Sequence, residues 1–286
     1  MKSPHKPLLL ALTPFLGLSL TLLAPSPLHA QASAIPSAQP APPAGADSEK
    51  RARTLIDEMV EALGGSAWIN LTSIAKEGHT ASFFRGDPTL SDPQFWEYDR
   101  LPPTGQPEAQ RLEFTKKRDV VQIWTPDNGY EITYKGNKPL PADQVKDTLR
   151  RQTHSVEAVV RTWLKQPGIV ILYEGTTMVE RRMAEKVTLL GADNDAVTLE
   201  LEASTHLPLR LSFQSRNQTF KDFDEDAEEY DEWHLIQGIQ TPFIITRYHN
   251  GDLTAQRYFS KVEYDIPLTP EMFDITLPLK EGKKKK

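Results

Sequence analysis

The segment from Leu207 to Leu277 constrains the fold more than any other part of the chain. Leu207, Leu209, Leu211 and Phe213 alternate with Pro208, Arg210 and Ser212, the period of two that gives a strand one apolar face. A second strand is expected around Tyr230 to Gln237, and Gly238 marks the turn into a third, Ile239 to Tyr248. His249-Asn250-Gly251-Asp252 closes that strand with a residue pair suited to positive φ, a strong hairpin signal. A fourth strand, Thr254 to Asp265, completes a meander. Four consecutive strands with no helix between them cannot form a parallel βαβ sheet, so this one is antiparallel. Pro267, Pro270 and Pro278 stop further pairing.

Upstream, the spacing predicts an amphipathic helix over Asp47 to Leu63. Ala52, Leu55, Ile56, Met59, Val60 and Leu63 share one face, Asp47 or Ser48 can cap it, and Gly64-Gly65 ends it. Strands are expected at Ile74–Arg85, Phe95–Arg100 (with Trp96 and Tyr98 on one face), Arg111–Lys117, Val120–Trp124 and Tyr130–Tyr134. The last two meet across Pro126-Asp127-Asn128-Gly129, another hairpin turn. A second helix, Pro141 to Gln166, interrupts the sheet. Its stripe is Val145, Leu149, Val156, Val159, Val160, Trp163 and Leu164, with a break possible near His154-Ser155 because Ser155 can cap a new helix. Strands resume at Ile169–Tyr173, Val187–Leu190 and Val197–Leu201. The fold class is therefore α+β, mostly antiparallel β, with about ten or eleven strands, one N-terminal helix and one inserted helix.

The two ends read differently from the middle. Lys2 and Lys6 precede an apolar run from Pro7 to Ala24, and small residues follow at Ala30 and Ala32. That is the layout of a secretory signal peptide, residues 1–32, with cleavage near Ala30 or Ala32. A retained membrane-spanning helix is the competing reading, weakened by Pro14, Gly17, Pro25 and Pro27. Residues 33–46 are a Pro/Ala-rich linker whose composition cannot bury a core. The folded domain is expected over 47–279, followed by a Lys-rich tail, 280–286. There is no cysteine, so neither a disulfide nor a lipid-modified N-terminal cysteine is available. Of the 33 Lys and Arg residues two belong to the leader; the remaining 31 stand against 39 acidic residues, a formal charge of −8. That balance speaks against nucleic acid as a partner. A solvated tail is the expected role of Lys283 to Lys286.

No catalytic constellation is recognisable. His79, His154, His206, His234 and His249 fall in different elements, and none stands in H-E-x-x-H or H-x-H, so they read as surface or satisfied core histidines. No serine lies in G-x-S-x-G and no glycine-rich loop cradles a phosphate. The dense acidic run is Asp222, Asp224, Glu225, Asp226, Glu228, Glu229, Asp231 and Glu232. Its Asp-x-Asp-x-Asp spacing is that of a calcium loop, but Ala227 occupies the glycine position and Trp233 the place of the bidentate Glu. It reads as an exposed hairpin connection whose like charges protect a sheet edge. Asn70-Leu71-Thr72 and Asn217-Gln218-Thr219 match a glycosylation acceptor that arises often by chance. No cofactor, metal or catalytic residue is expected, and the protein reads as a non-enzyme.

The order helix, strands, inserted helix, strands resembles the periplasmic lipoprotein-carrier superfamily, the LolA/LppX-like proteins, and within it a branch of outer-membrane lipoprotein-sorting proteins. The residues that carry the likeness are the helix ending Leu63-Gly64-Gly65 with Trp68, and the run Tyr130-Glu131-Ile132-Thr133-Tyr134-Lys135-Gly136. They continue with Thr205 to Arg210 and with Tyr230-Asp231-Glu232-Trp233 leading to Gly238-Ile239-Gln240-Thr241-Pro242-Phe243. The resemblance spans Asp47 to Leu277. It implies an incompletely closed antiparallel half-barrel whose concave face is covered by the helices, with an apolar space between them that takes up acyl chains. Burial is worth about 0.8 kcal/mol per methylene, so half of a sixteen-carbon chain supplies about 6 kcal/mol gross.

The expected function is thus a periplasmic carrier of lipid or lipoprotein acyl chains, monomeric, working with membrane-bound delivery or acceptor proteins. The alternative on the same fold is a periplasmic protein-interaction or envelope-stress sensor module without a lipid ligand. Candidate acyl-chain contacts are Trp96, Tyr98, Leu112, Phe114, Trp124, Ile132, Tyr134, Val156, Val160, Trp163, Leu211, Phe213, Ile244 and Tyr264. Each also fits plain core packed under the helices.

Overall fold

The computed structural model describes residues 45–89, 93–101, 108–217, 219–220 and 222–276. The expected leader and Lys-rich tail, and all of the linker but its last two residues, lie outside them. Helices α1 (Ala46–Leu63) and α2 (Ser66–Ile69) come first. Then follow β1 (Ser73–Phe84), β2 (Asp87–Pro88), β3 (Gln94–Arg100), β4 (Ala109–Phe114), β5 (Val120–Trp124), β6 (Gly129–Thr133) and β7 (Gly136–Pro139). The inserted helical segment divides into α3 (Ala142–Thr153), α4 (Val156–Arg161) and a 3-10 turn at Trp163–Lys165. The chain ends in β8 (Val170–Val179), β9 (Arg182–Leu190), β10 (Ala196–Glu202), β11 (Pro208–Arg216), β12 (Phe223–Ile236), β13 (Ile239–His249), β14 (Asp252–Tyr264) and a 3-10 turn at Pro270–Phe273.

Among the described residues all strands join one antiparallel sheet in the order β7-β6-β5-β4-β3-β1-β14-β13-β12-β11-β10-β9-β8, with β2 paired to β1. The path does not close, so β7 and β8 are edges and the sheet is an open half-barrel. Its fourteen strands exceed the ten or eleven expected from the sequence. The short β2 and β7 explain part of the difference. Both are exposed throughout, and β7 reads Gly-Asn-Lys-Pro, so neither shows an apolar alternation. Pro139 ends β7 at the sheet edge, where a missing N–H costs nothing.

The acidic run is a second correction. It is not a hairpin connection but the first half of β12: Asp224 to Glu229 pair with β11 and Asp226 to Asp231 with β13, so Asp226 to Glu229 are held on both sides. A strand this polar is stable because its carboxylates meet arginines from other elements, described below. The inserted helix breaks at His154-Ser155 as expected, and the Ser155 hydroxyl accepts from Ala158 N at 3.1 Å. The capping of α1 differs from expectation. Gly45 takes the N-cap position without a side-chain bond, while the Ser48 hydroxyl donates to the Tyr173 carbonyl and accepts from Tyr173 N. Ser48 thus ties α1 to edge strand β8.

The core lies between the helices and one face of the sheet. Leu55, Ile56 and Met59 of α1 are sealed against Ile171, Val187, Leu189, Val197, Leu199 and Leu211 of β8 to β11. Leu63-Gly64 brings the helix end onto Gly238 and Ile239 at the β12–β13 turn. A smaller cluster occupies the outer face, where Ile275 packs on Val121, Ile123 and Ile132. The segment after the last strand is therefore structural. Arg111 Nη1 donates to Met272 O at 2.7 Å, and the Arg100 guanidinium lies 4.4 Å from the Phe273 ring.

Candidate functional site

Strand register decides which side chains face the helices. Residues directly opposite in an antiparallel pair share a face, so Phe95, Glu97 and Asp99 on β3 group with Ile74 and Lys76 on β1 and with Leu112 and Phe114 on β4. Lys76 faces Val262, and Thr80 faces Arg257, on β14. Arg257 groups with Ile245, and Ile245 with Tyr230. Glu228 groups with Leu211, and Asp226 with Phe213. The helix-covered face thus has an apolar half, β8 to β11, and a charged half, β1, β3 and β12 to β14.

Charged side chains at this depth persist only when paired. Lys76 Nζ bridges Glu97 Oε1 and Asp99 Oδ2, both at 2.8 Å. Arg257 Nη2 reaches Glu97 Oε2 at 2.6 Å while its guanidinium lies 4.3 Å from the Phe95 ring and 5.2 Å from that of Phe259. Gln110 donates to the remaining Asp99 oxygen at 2.8 Å. Alongside, Arg247 Nε reaches Glu228 Oε1 at 2.8 Å, and the Tyr230 hydroxyl donates to Glu228 Oε2 at 3.1 Å. Arg151 of α3 completes the set by pairing with Asp226 at 2.7 Å. Four cations meet four carboxylates, so the half-face is charged locally and neutral as a whole.

The protonation states follow from this wiring. Burial works against the Glu97 carboxylate, yet Arg257 and Lys76 outweigh it and hold its pKa well below the usual range. Burial also opposes the Lys76 ammonium, but Asp99 and Glu97 hold its pKa above that of an ordinary lysine. Asp99 is the odd member: burial, helped by the Glu97 charge and only partly offset by Lys76, pushes it up to about 6. Burial raises the Tyr230 hydroxyl, reinforced by Glu228.

The roof over this face is uneven. α3 has no buried side chain and is held by polar contacts. Arg150 donates to Asp195 Oδ1 at 2.9 Å and to the Gln214 carbonyl, Arg151 pairs with Asp226, and Gln152 donates to Gln110 at 3.4 Å. α4 and the following turn are anchored by burial instead, through Val156, Val159 and Trp163. Between them sits His154, 2% exposed, its ring 5.1 Å from Trp163 and 4.5 Å from Phe213. Its Nε2 lies 2.9 Å from Asp195 Oδ2 and its Nδ1 2.8 Å from Arg150 O. It is a satisfied core histidine, and burial lowers its pKa.

The expected acyl-chain contacts divide accordingly. Leu112, Phe114, Trp124, Leu211, Phe213 and Tyr264 face the helices, as do Val156, Val160 and Trp163 from above. Trp96, Tyr98, Ile132 and Ile244 alternate to the outer face. There Arg118 covers the Trp96 ring at 4.2 Å and donates to the Tyr98 hydroxyl. Tyr134 stands 87% exposed on the β6–β7 turn. The charged members were not anticipated. The available signal was Glu97 and Asp99 in phase with Phe95, masked by the more conspicuous Trp96 and Tyr98.

Among the described residues no group of three or more His, Asp or Glu is arranged to hold a metal ion. Asp224, from the calcium-like spacing, accepts from Asn217 and Asn250, and Asp226 is engaged by Arg151 and His249. Among the same residues no helix is long and apolar enough to cross a membrane.

No protein-family model and no curated protein matches the sequence. Solved structures are similar in fold. A DUF1329 family protein from Desulfovibrio piger aligns at a TM-score of 0.53 and 12% identity, over 78% of this chain and 97% of that one. A domain assigned as an outer membrane lipoprotein-sorting protein from Vibrio parahaemolyticus aligns at 0.52 and 8%, with the same coverage. A LolA superfamily protein from Nitrosomonas europaea covers the same shares at a TM-score of 0.47 and 13% identity. The chain shares the fold of the first two of these structures.

Proposed function

We propose that this protein is an exported, non-catalytic carrier that shelters acyl chains of lipids or lipoproteins between the sheet and the helices. The observation that carries the reading is the uneven roof. α3 crosses the concave face without burying a side chain and is fastened by polar contacts, beside an apolar surface made by β8 to β11, α4 and Trp163. A helix held this way gives up polar contacts rather than packed apolar surface when it moves, and water can replace the more exposed of them, such as Arg150–Asp195. An acyl chain then gains apolar surface at Leu211, Phe213, Val156 and Trp163. The neutral ion network beside it suits the polar end of such a ligand, since its donors and acceptors are already oriented.

Export, with the leader removed near Ala30 or Ala32, and action in the periplasm belong to the same proposal. Mass spectrometry of lipids extracted from protein purified under native conditions tests it, together with titration of a fluorescent acyl probe. Co-purified lipid, or saturable probe binding lost in Trp163→Ala, is the expected result. A lipid-free sample that also ignores the probe would overturn the reading.

A second reading, a protein-interaction or sensor module on the same fold, draws on the packing of α1. Its Ala52, Leu55 and Met59 are fully sealed against the sheet, so the chain's own side chains already cover that part of the face. It predicts a stable complex with a periplasmic partner and no bound lipid.

A further inference from the structure

The turns at one end of the sheet carry a repeated feature that the carrier reading does not use. At the β1–β2 turn the chain reads Phe84-Arg85-Gly86, and at the β6–β7 turn Tyr134-Lys135-Gly136. Both aromatic rings stand out, Phe84 at 69% and Tyr134 at 87% exposure. In both the following cation sits by the ring, Arg85 at 5.4 Å and Lys135 at 5.6 Å from the centroid. Both turns are held in the left-handed region, at Arg85 and Gly86 in one and at Gly136 in the other, so the projection is set by the backbone.

Register puts the two turns on the same end of the sheet, with the β4–β5 turn between them. His79 of β1 faces Gln94, Phe95 faces Phe114, Phe114 faces Val120, and Val121 faces Ile132. The two turns are about 20 Å apart across the sheet at about 4.8 Å per strand, and Phe84, five residues past His79 on β1, stands about 17 Å further out along the strands than Tyr134. The intervening turn is Thr115-Lys116-Lys117-Arg118-Asp119, exposed throughout. Across these three turns, residues 84–88, 115–119 and 134–138, there are six cations and two carboxylates, in a chain whose formal charge is −6. A cavity of about 350 Å³ opens beside Tyr134 and Lys135, next to Lys138.

Exposed aromatic rings flanked by Lys and Arg are the side-chain set that suits the interface of an anionic bilayer. The ring enters the headgroup layer and the cation meets the lipid phosphate. Polybasic segments gain about fivefold in affinity per cation at such a surface. We infer that this rim of hairpin turns docks the protein on an anionic membrane surface, with Phe84 and Tyr134 as insertion points and Lys116, Lys117 and Lys135 as the principal charge contacts. The inference is independent of the carrier reading: a chain that binds no acyl probe can still dock, and a carrier can function without docking.

Co-sedimentation with vesicles of phosphatidylglycerol in phosphatidylcholine, against phosphatidylcholine alone, tests it on the purified chain. The intact protein should sediment with the anionic vesicles only, and high salt should release it. K116Q/K117Q/K135Q should lose more than tenfold in affinity, and F84S/Y134S should also weaken binding, with far-ultraviolet circular dichroism and thermal midpoint unchanged because every altered side chain is exposed. Two results would overturn the inference: no binding by the intact chain, or triple-variant binding equal to that of the intact chain. So would binding that vanishes when Lys283 to Lys286 are changed to Gln but not when the rim is altered. Retention on heparin without vesicle binding would also overturn it, by marking a site for soluble polyanions.

Discussion

Arg257 on β14 is clamped from two sides, with its Nη2 2.6 Å from Glu97 Oε2 on β3 and its guanidinium face 4.3 Å from the Phe95 ring. The two strands are neighbours only through β1, whose Lys76 holds the other Glu97 oxygen. Glu97 is therefore the common counter-charge of buried Arg257 and half-buried Lys76. Removing it by Glu97→Ala leaves both without that partner and is expected to cost about 3–5 kcal/mol. Urea unfolding at neutral pH checks this; a loss below about 1 kcal/mol would mean that water already solvates the network.

Asp99 makes stability depend on pH in an uncommon direction. Its pKa rises from 3.8 to about 6 on folding, so the fold binds its proton more tightly than the unfolded chain does. Its contribution is full below about pH 4 and is lost as pH climbs through about 6. Glu97, held low, works the opposite way: its contribution is present above its ordinary value of 4.5 and fades on acidification. Asp99→Asn should therefore flatten the stability profile between pH 4 and 6, by on the order of 2 kcal/mol relative to the parent. Unfolding midpoints across that window decide it, and parallel profiles would refute the assignment.

Arg151→Ala removes the ion pair between α3 and β12. Because α3 buries no side chain, only the polar contacts of Arg150 and Gln152 then oppose its departure. Amide exchange in residues 142–153 should accelerate by roughly tenfold, as expected from losing about 1–2 kcal/mol of local stability, while β8 to β11 remain protected. On the carrier reading the same variant should take up an acyl probe faster.

Gly129 opens β6 against Trp124. A Cβ there would stand 2.6 Å from two ring carbons of Trp124 and 3.0 Å from Leu140, in a site where all three residues are buried. Gly129→Ala should cost about 1–3 kcal/mol through overpacking, seen as a lower thermal midpoint. Gly136→Ala, with open space around its Cβ position but φ of 106°, separates backbone strain from crowding.

Much of the architecture was legible because local chemistry and periodicity were enough. Gly238 and Asn250-Gly251 named two hairpin turns, the Ala52–Leu63 stripe named α1, and Ser155 named the start of α4. The short strands β2 and β7 were not legible, since pairing alone holds their exposed residues. Nor was the acidic stretch Asp224 to Asp231, whose carboxylates look solvated until Arg151, Arg210 and Arg247 arrive from elsewhere.

The division has a physical cause. Alternation along β3 establishes a period of two but not its phase, and Trp96 and Tyr98 present as convincing a core face as Phe95, Glu97 and Asp99. Local sequence therefore settled that the chain builds an open antiparallel sheet with helices laid on it. Which face of each strand meets those helices depends on partners up to 160 residues away, as Glu97 and Arg257 are. Burial of a charge is favourable only when its counter-charge is brought to it, and that is a property of the assembled sheet alone.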